Sequence, residues 1–181
     1  MTMMQLNKAV KPIADRVKMI VARGVLKNVT DSTGVQKVQA SLLAGELKDG
    51  IERFQTYGLS SNPPAGTEGI FLFIGGNRDH GVCVATDDKG SRFKNVASGE
   101  VALYDNKGNF IHLKTDGTIE ITATQKIRMI TPRLEVTGDI IDNCDTNTKT
   151  VKNARDTYNI HTHDGVQPGA GNTGDPNQQL T

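Results

Sequence analysis

Pairs of alternating apolar residues recur in the second half of this 181-residue chain, and they limit its fold more than any other feature. Each pair is two apolar residues separated by one other: Val101 and Leu103, Ile111 and Leu113, Ile119 and Ile121, Ile127 and Met129, Leu134 and Val136. Corresponding members are eight residues apart at Leu103, Ile111, Ile119 and Ile127, with turn residues between the pairs. Period two places both members of a pair on one face of a strand. The pattern predicts a repeat of short strands that share one apolar face.

Each predicted repeat buries too little to fold alone. Burying one Ile or Leu side chain contributes about 1.5–3 kcal/mol, whereas ordering one residue costs about 1–2 kcal/mol in backbone entropy. Other apolar material is scarce, since 4% of the residues are aromatic and none is Trp. We therefore expect three chains to wrap around one axis and enclose the apolar stripe. A fragment of residues 99–181 is expected to be unstable as a monomer.

The first half of the chain predicts a small barrel after an N-terminal segment. Residues 1–15 carry weak signals that suit either a short helix before Pro12 or a loose arm. Extended structure is predicted from Val17, and further strands at residues 35–43, 54–59, 70–74 and 81–86. Five short strands joined by glycine-containing turns suit a closed barrel such as the OB-fold. The predicted fold class is all-β.

Charge and hydropathy exclude several classes of protein. The net charge is +1, and no strongly basic domain indicates nucleic-acid binding. The longest apolar run, residues 70–74, is shorter than a signal peptide core or a membrane helix needs. Two distant cysteines indicate synthesis in a reducing cytoplasm. Single-stranded nucleic-acid binding or carbohydrate binding by an OB-fold remains an alternative, although few aromatic residues are present to stack on bases.

The motif His161-Thr162-His163 is the strongest candidate for chemistry. In an extended chain the two imidazoles point to the same side. One chain offers two nitrogen ligands, whereas three chains on a threefold axis offer six, which suits an octahedral first-row ion such as iron or nickel. In a monomer, two surface histidines are the simpler interpretation. A cupin-type metal enzyme is a further alternative, but its glutamate four or five residues after the second histidine is missing.

Other histidines and the polar C-terminal region are predicted to have structural roles. His112 lies between Ile111 and Leu113 and is expected to face solvent, whereas His80 follows Asp79 in a loop without an activated nucleophile nearby. Residues 143–158 are polar and are predicted to continue in an extended form. The glycine- and proline-rich segment after His163 suits either a disordered tail or a compact apex loop.

Several of these segments resemble the central spike, or baseplate assembly protein V, of contractile-tailed bacteriophages, and the Mu-type spike in particular. Residues 66–82 are similar to the OB domain of that family, and residues 99–104 with the repeats resemble its trimeric β-helix. Residues 158–169, which include His161 and His163, resemble its apex. The likeness covers roughly residues 15–175.

The resemblance implies a division into an arm at residues 1–15, an OB-fold domain at 16–97, an intertwined homotrimeric β-helix at 98–157 and an apex at 158–181. It implies iron bound by His161 and His163 of each of three chains, with calcium and chloride on the axis of some relatives. It implies a structural, non-enzymatic protein at the tip of the virion baseplate that is made in the host cytoplasm. Baseplate and tail-tube proteins and the host outer membrane are the implied partners, and nucleic acid is not.

Overall fold

The computed structural model describes residues 2–32, 34–163 and 173–175. Most of its regular structure belongs to a five-stranded barrel, a three-stranded sheet and two α-helices. The chain divides into two compact units, residues 1–127 and residues 128–181. No helix within the described ranges is long and apolar enough to cross a membrane. The predominance of strands agrees with the predicted all-β class.

Helix α1 spans Met3–Lys18 and precedes the barrel. Thr2 caps it, because its side chain accepts a hydrogen bond from the backbone N–H of Gln5 while the Gln5 side chain accepts one from the backbone of Thr2. The helix continues through Pro12, which removes one backbone hydrogen bond from its interior. The prediction of extended structure from Val17 was wrong, since Val17 belongs to the helical spacing of apolar residues and not to an alternation.

The barrel consists of β1 (Val21–Thr30), β2 (Lys37–Ser41), β3 (Leu47–Arg53), β4 (Glu68–Phe73) and β5 (Gly81–Asp87). The strands close in the order β1-β2-β3-β5-β4, with β4 pairing back to β1. All pairs are antiparallel except β3 with β5. This is the arrangement of a five-stranded OB-type barrel, as the turn and strand spacing predicted.

The barrel core comes from alternate residues of these strands, as the period of two requires. Its buried members are Ala22, Leu26, Val38, Ala40, Leu42, Ile51, Phe71, Phe73 and Cys83. Two of the chain's few aromatic side chains are therefore used inside the barrel and cannot stack on bases.

The predicted third strand at residues 54–59 was wrong. The strand lies earlier, at β3, and residues 54–66 form the connection to β4. Leu59 N–H donates to the carbonyl of Thr56 at 3.0 Å, and Gly58 takes a φ of 87° within that turn. Aromatic and threonine residues favoured a strand here, but the positive φ of Gly58 interrupts extension.

A separate antiparallel sheet follows the barrel and contains β6 (Val101–Tyr104), β7 (Phe110–Leu113) and β8 (Ile119–Thr122). Each strand begins two residues after a glycine with a φ of 84° to 90°, namely Gly99, Gly108 and Gly117. The structural repeat is therefore nine residues long, and the predicted spacing of eight was wrong.

The second unit contains helix α2 (Val151–Ile160). Thr150 caps this helix together with Asn153, and Lys152 pairs with Asp156 one turn later at 2.7 Å. The prediction that residues 143–158 are extended was wrong for the part within α2, because these local polar contacts favour a helix. Residues 127–129 and 134–136, which were predicted as strands, contain no strand in the structure.

Candidate metal centre and apolar sheet face

One face of the β6–β8 sheet carries six aliphatic side chains. The strand register aligns them in two rows, Val101–Leu113–Ile119 and Leu103–Ile111–Ile121. Five of the six are between 45% and 64% exposed, and Ile111 is partly buried. The prediction that the repeated apolar pairs share one face is confirmed by this register for the first three of the five pairs. We call this half-exposed surface the apolar face.

The opposite face of the same sheet is covered by Phe93. The Phe93 ring centroid lies 5.0 Å from that of Phe110, 5.1 Å from that of His112 and 6.2 Å from that of Tyr104. His112 is 9% exposed. The prediction that His112 faces solvent was wrong: the side chain does point away from the apolar face, but a segment that precedes the sheet covers it.

Glu100 is the hydrogen-bonding partner of His112, with 2.9 Å between Oε2 and the imidazole Nε2. Its carboxylate also accepts hydrogen bonds from the backbone N–H groups of Ala97 at 3.1 Å and Thr115 at 3.2 Å. These backbone donors, with a smaller contribution from His112, hold the pKa of the Glu100 carboxyl below its usual range. Sequence reasoning missed this carboxylate, although its position directly after Gly99 at the start of a repeat was a usable signal.

His161 and His163 follow the C-terminal end of α2. His161 is the C-cap residue with extended backbone angles, and the two imidazole centroids are 5.1 Å apart. The backbone of His163 is joined to Thr173 by two hydrogen bonds, at 2.9 and 3.0 Å. The structure thus brings the two predicted ligands together, and residues 164–172, which follow them, lie outside the described residues.

The orientation of His161 suits metal binding. Its Nδ1 lies 2.5 Å from the carbonyl oxygen of Tyr158, whose ring is 5.2 Å away. An Nδ1–H donor to this carbonyl leaves the lone pair of Nε2 available for a metal, as in many histidine ligands whose second nitrogen is held by a backbone acceptor. Among the described residues no group of three or more potential ligands converges. The described part of one chain therefore brings two imidazoles, those of His161 and His163, to this candidate metal site.

Asp79, which precedes His80, forms an ion pair with Lys48. His80 itself is exposed, and the carboxylate of the preceding residue, Asp79, pairs with Lys48 at 2.8 Å. This ion pair joins a loop to β3, and the hydrogen bond from Lys48 lowers the pKa of Asp79. Asp79 thus has a structural role that does not involve the imidazole of His80.

Two family models match the chain. The model described as "Bacteriophage Mu Gp45, N-terminal" matches residues 23–90, which lie mostly in the barrel. The model described as "GpV Apex motif" matches residues 156–177, which include His161 and His163.

Two curated proteins are similar over most of their length. The chain is 34% identical over 142 residues to the baseplate puncturing device gp45 of Escherichia phage Mu, covering 75% of this chain and 72% of the relative. It is 32% identical over 151 residues to the Mu-like prophage FluMu protein gp45 of Haemophilus influenzae, covering 76% of this chain and 82% of the relative.

An OB-type barrel followed by strand repeats and an apex motif defines the class of phage spike proteins. Within that class, the chain belongs to the Mu gp45 family of Mu-like spike proteins.

Proposed function

We propose that three copies of this chain form the central spike of a contractile phage tail baseplate, which pierces the host outer membrane when the sheath contracts. The role is mechanical, without an enzymatic step, and places the protein in the virion next to baseplate and tail-tube proteins. Support comes from the relative in Escherichia phage Mu, which is named a baseplate puncturing device and aligns with most of this chain.

The observation that carries the proposal is the exposed apolar face. Six aliphatic side chains, five of them about half exposed, line one side of a sheet only three strands wide. Covering them would contribute about 5–10 kcal/mol per chain on the scale of 1.5–3 kcal/mol for each fully buried side chain. Two further copies of the same sheet would cover this face and form the closed trimeric β-helix of the proposal. In this arrangement residues 1–15 are the arm, residues 16–97 the barrel domain, residues 98–157 the prism and residues 158–181 the apex. Helix α1 crosses the first of these boundaries and α2 crosses the last.

The apex is proposed to hold iron through His161 and His163 of each chain. Six imidazole nitrogens fill an octahedral shell, so the ion would have no open position for substrate or water and would serve as a clamp. The hydrogen bond between His161 and the Tyr158 carbonyl supports this role, because it fixes the tautomer that a ligand needs. Calcium and chloride have no ligands assigned in this proposal.

Elemental analysis of the purified full-length protein tests the metal site. We expect one iron per three chains in the wild type and no bound iron in the double variant His161→Ala, His163→Ala. The matched control is His80→Ala, which removes an exposed histidine far from the apex motif in sequence and should retain the metal. Iron retained by the double variant, or a wild type that binds no transition ion, contradicts the assignment.

A further inference from the structure

Helix α1 carries an apolar stripe that no described residue buries. Its members are spaced alternately by three and four residues and continue two residues beyond the helix: Met3, Leu6, Val10, Ile13, Val17 and Ile20. Their side chains are between 38% and 77% exposed. A helix of this length is marginally stable in water without tertiary packing. The stripe therefore needs a partner.

The C-terminal end of α1 is attached firmly to the barrel. The backbone of Gly76 packs against the carbonyl of Arg16 so closely that a Cβ atom on Gly76 would lie 2.4 Å from that oxygen. Just beyond the helix, Phe73 N–H of β4 donates to the carbonyl of Ile20 at 2.7 Å. The barrel therefore presents the stripe in a defined direction.

The width of the stripe indicates a coiled coil. Apolar residues at only two positions of each seven form the narrow seam of helices that pack side by side, whereas a helix that lies on a membrane has a wider apolar sector. The outer side of α1 carries Lys8, Lys11 and Asp15, of which the last two pair at 2.8 Å, and one large apolar side chain, the exposed Met4 in the first turn. The seam thus fits another helix of the same spacing.

The residues of the seam favour three identical helices. Four of the six residues of the seam are β-branched: Val10 and Val17 at one core position, which also holds Met3, and Ile13 and Ile20 at the other, which also holds Leu6. β-branched residues at both positions favour three strands over two. The positions that flank the seam are Asn7, Ala9, Ala14 and Arg16. With one charge among these four, identical helices do not repel each other, and nothing selects a partner of complementary charge.

We propose that α1 forms a parallel three-stranded coiled coil with α1 of two further copies of this chain. The number of copies rests on the proposed function, whereas the seam itself does not. Two to three heptads make a weak coiled coil in isolation, but chains that are already joined elsewhere hold the helices at high effective concentration. The coiled coil would join the three chains near the N-terminal end of the sequence, whereas the apex motif lies near its C-terminal end.

Disulfide trapping in the full-length chain tests this proposal. Cys144 is exposed and is changed to Ser, whereas Cys83 is buried in the barrel core and is kept. Ile13→Cys places a thiol in the seam, and Lys8→Cys places one on the outer side as the matched control. Because a disulfide requires Cα atoms about 4.4–6.8 Å apart, Ile13→Cys should cross-link at least about tenfold faster than Lys8→Cys under mild oxidation.

Sedimentation equilibrium of the same samples gives their mass. Together with the cross-linking rates, the mass shows whether the coiled coil alone fails or the trimeric spike fails with it. A trimer in which Ile13→Cys cross-links no faster than Lys8→Cys overturns the coiled coil and leaves the spike intact. A single-chain mass overturns both. Loss of the circular-dichroism signal at 222 nm in Ile13→Asp, with retention in Lys8→Asp, supports the coil. Binding of the wild type to anionic vesicles that Ile13→Asp abolishes, without trapping by Ile13→Cys, would show a membrane helix and overturn it.

Discussion

The imidazole of His112 and the carboxylate of Glu100 form a hydrogen-bonded pair with 2.9 Å between Nε2 and Oε2. Glu100 lies just before β6, whereas His112 lies on β7, and Glu100 also accepts the backbone N–H of Thr115 in the turn before β8. One carboxylate therefore joins the segments around all three strands. Phe93 packs against His112 on the side away from the apolar face.

Glu100→Gln should lower the stability of the protein at neutral pH. It should also reduce the loss of stability that occurs when the pH is lowered. The pKa of Glu100 is lowered in the folded protein, mainly by the backbone N–H groups of Ala97 and Thr115. A lowered carboxyl pKa stabilises the fold above the unfolded-state value of about 4.3, and this contribution disappears as the pH falls through the folded-state value. Thermal unfolding from pH 7 to pH 3 measures the effect.

The comparison for this measurement is Glu52→Gln, which changes an exposed carboxylate on β3. We expect its melting temperature at pH 7 to stay close to that of the wild type, whereas Glu100→Gln should melt lower. The difference between wild type and Glu100→Gln should shrink on acidification. A difference that stays constant down to pH 3 would refute the role assigned to the ionised carboxylate.

Arg53→Met should loosen the loop of residues 54–66. The Arg53 guanidinium donates to Gln36 Oε1, to the Ser61 carbonyl and hydroxyl, and to Thr86 Oγ1, at 2.7 to 3.0 Å. Partial burial lowers the pKa of Arg53, but the guanidinium remains charged at neutral pH. Because Gln36 is buried, leaving its Oε1 atom without a donor should cost about 1–3 kcal/mol, whereas the exposed Ser61 acceptors can bond to water. Chymotrypsin should then cut faster at Tyr57, which is fully exposed in this loop.

The control for Arg53→Met is Arg23→Met, which breaks an exposed ion pair with Glu68 on the barrel surface. Exposed pairs contribute about 0–1 kcal/mol, so this variant should unfold and digest almost like the wild type. Equal digestion of all three proteins at Tyr57 would mean that Arg53 does not hold the loop.

Gly76→Ala should detach the end of α1 from the barrel. The new Cβ would lie 2.4 Å from the Arg16 carbonyl oxygen, and Gly76 has a φ of 71°. Gly75→Ala is a matched control: Gly75 has a φ of 62°, but a Cβ atom there would have no described residue within 4 Å beyond its chain neighbours. Both variants bear the cost of about 1–2 kcal/mol for a positive φ. Only Gly76→Ala should also increase hydrogen exchange of the amides at the end of α1, and equal exchange in the two variants would count against the contact.

The sequence pattern identified the apolar face correctly but not its spacing. Partners across the antiparallel strands are Leu103, Ile111 and Ile121, so the separations alternate between eight and ten residues. A hairpin reverses the chain, and equivalent positions on successive strands are therefore unequally spaced even though the turns recur every nine residues. The predicted spacing of eight captured one half of this alternation.

Contacts between distant segments could not be derived from local patterns. His112 alternates with apolar neighbours and would face solvent on an open sheet, but Phe93 from a preceding segment covers it. Helix α2 was missed because its capping by Thr150 and Asn153 is a local polar signal, and its apolar spacing, Val151, Ala154 and Tyr158, is short and lies in a mostly polar stretch. His161 and His163 were predicted as ligands from their spacing and their position after the repeats, and their imidazole centroids lie 5.1 Å apart.

The mass of the intact protein in solution tests the central claim that two further copies cover the apolar face. Sedimentation equilibrium should give three times the 19.5 kDa chain mass for the wild type and for Asn106→Asp, which adds a carboxylate in an exposed turn. Ile121→Asp should lower the mass, because it buries an unpaired charge between the chains. A folded wild-type protein with the mass of a single chain would contradict the account.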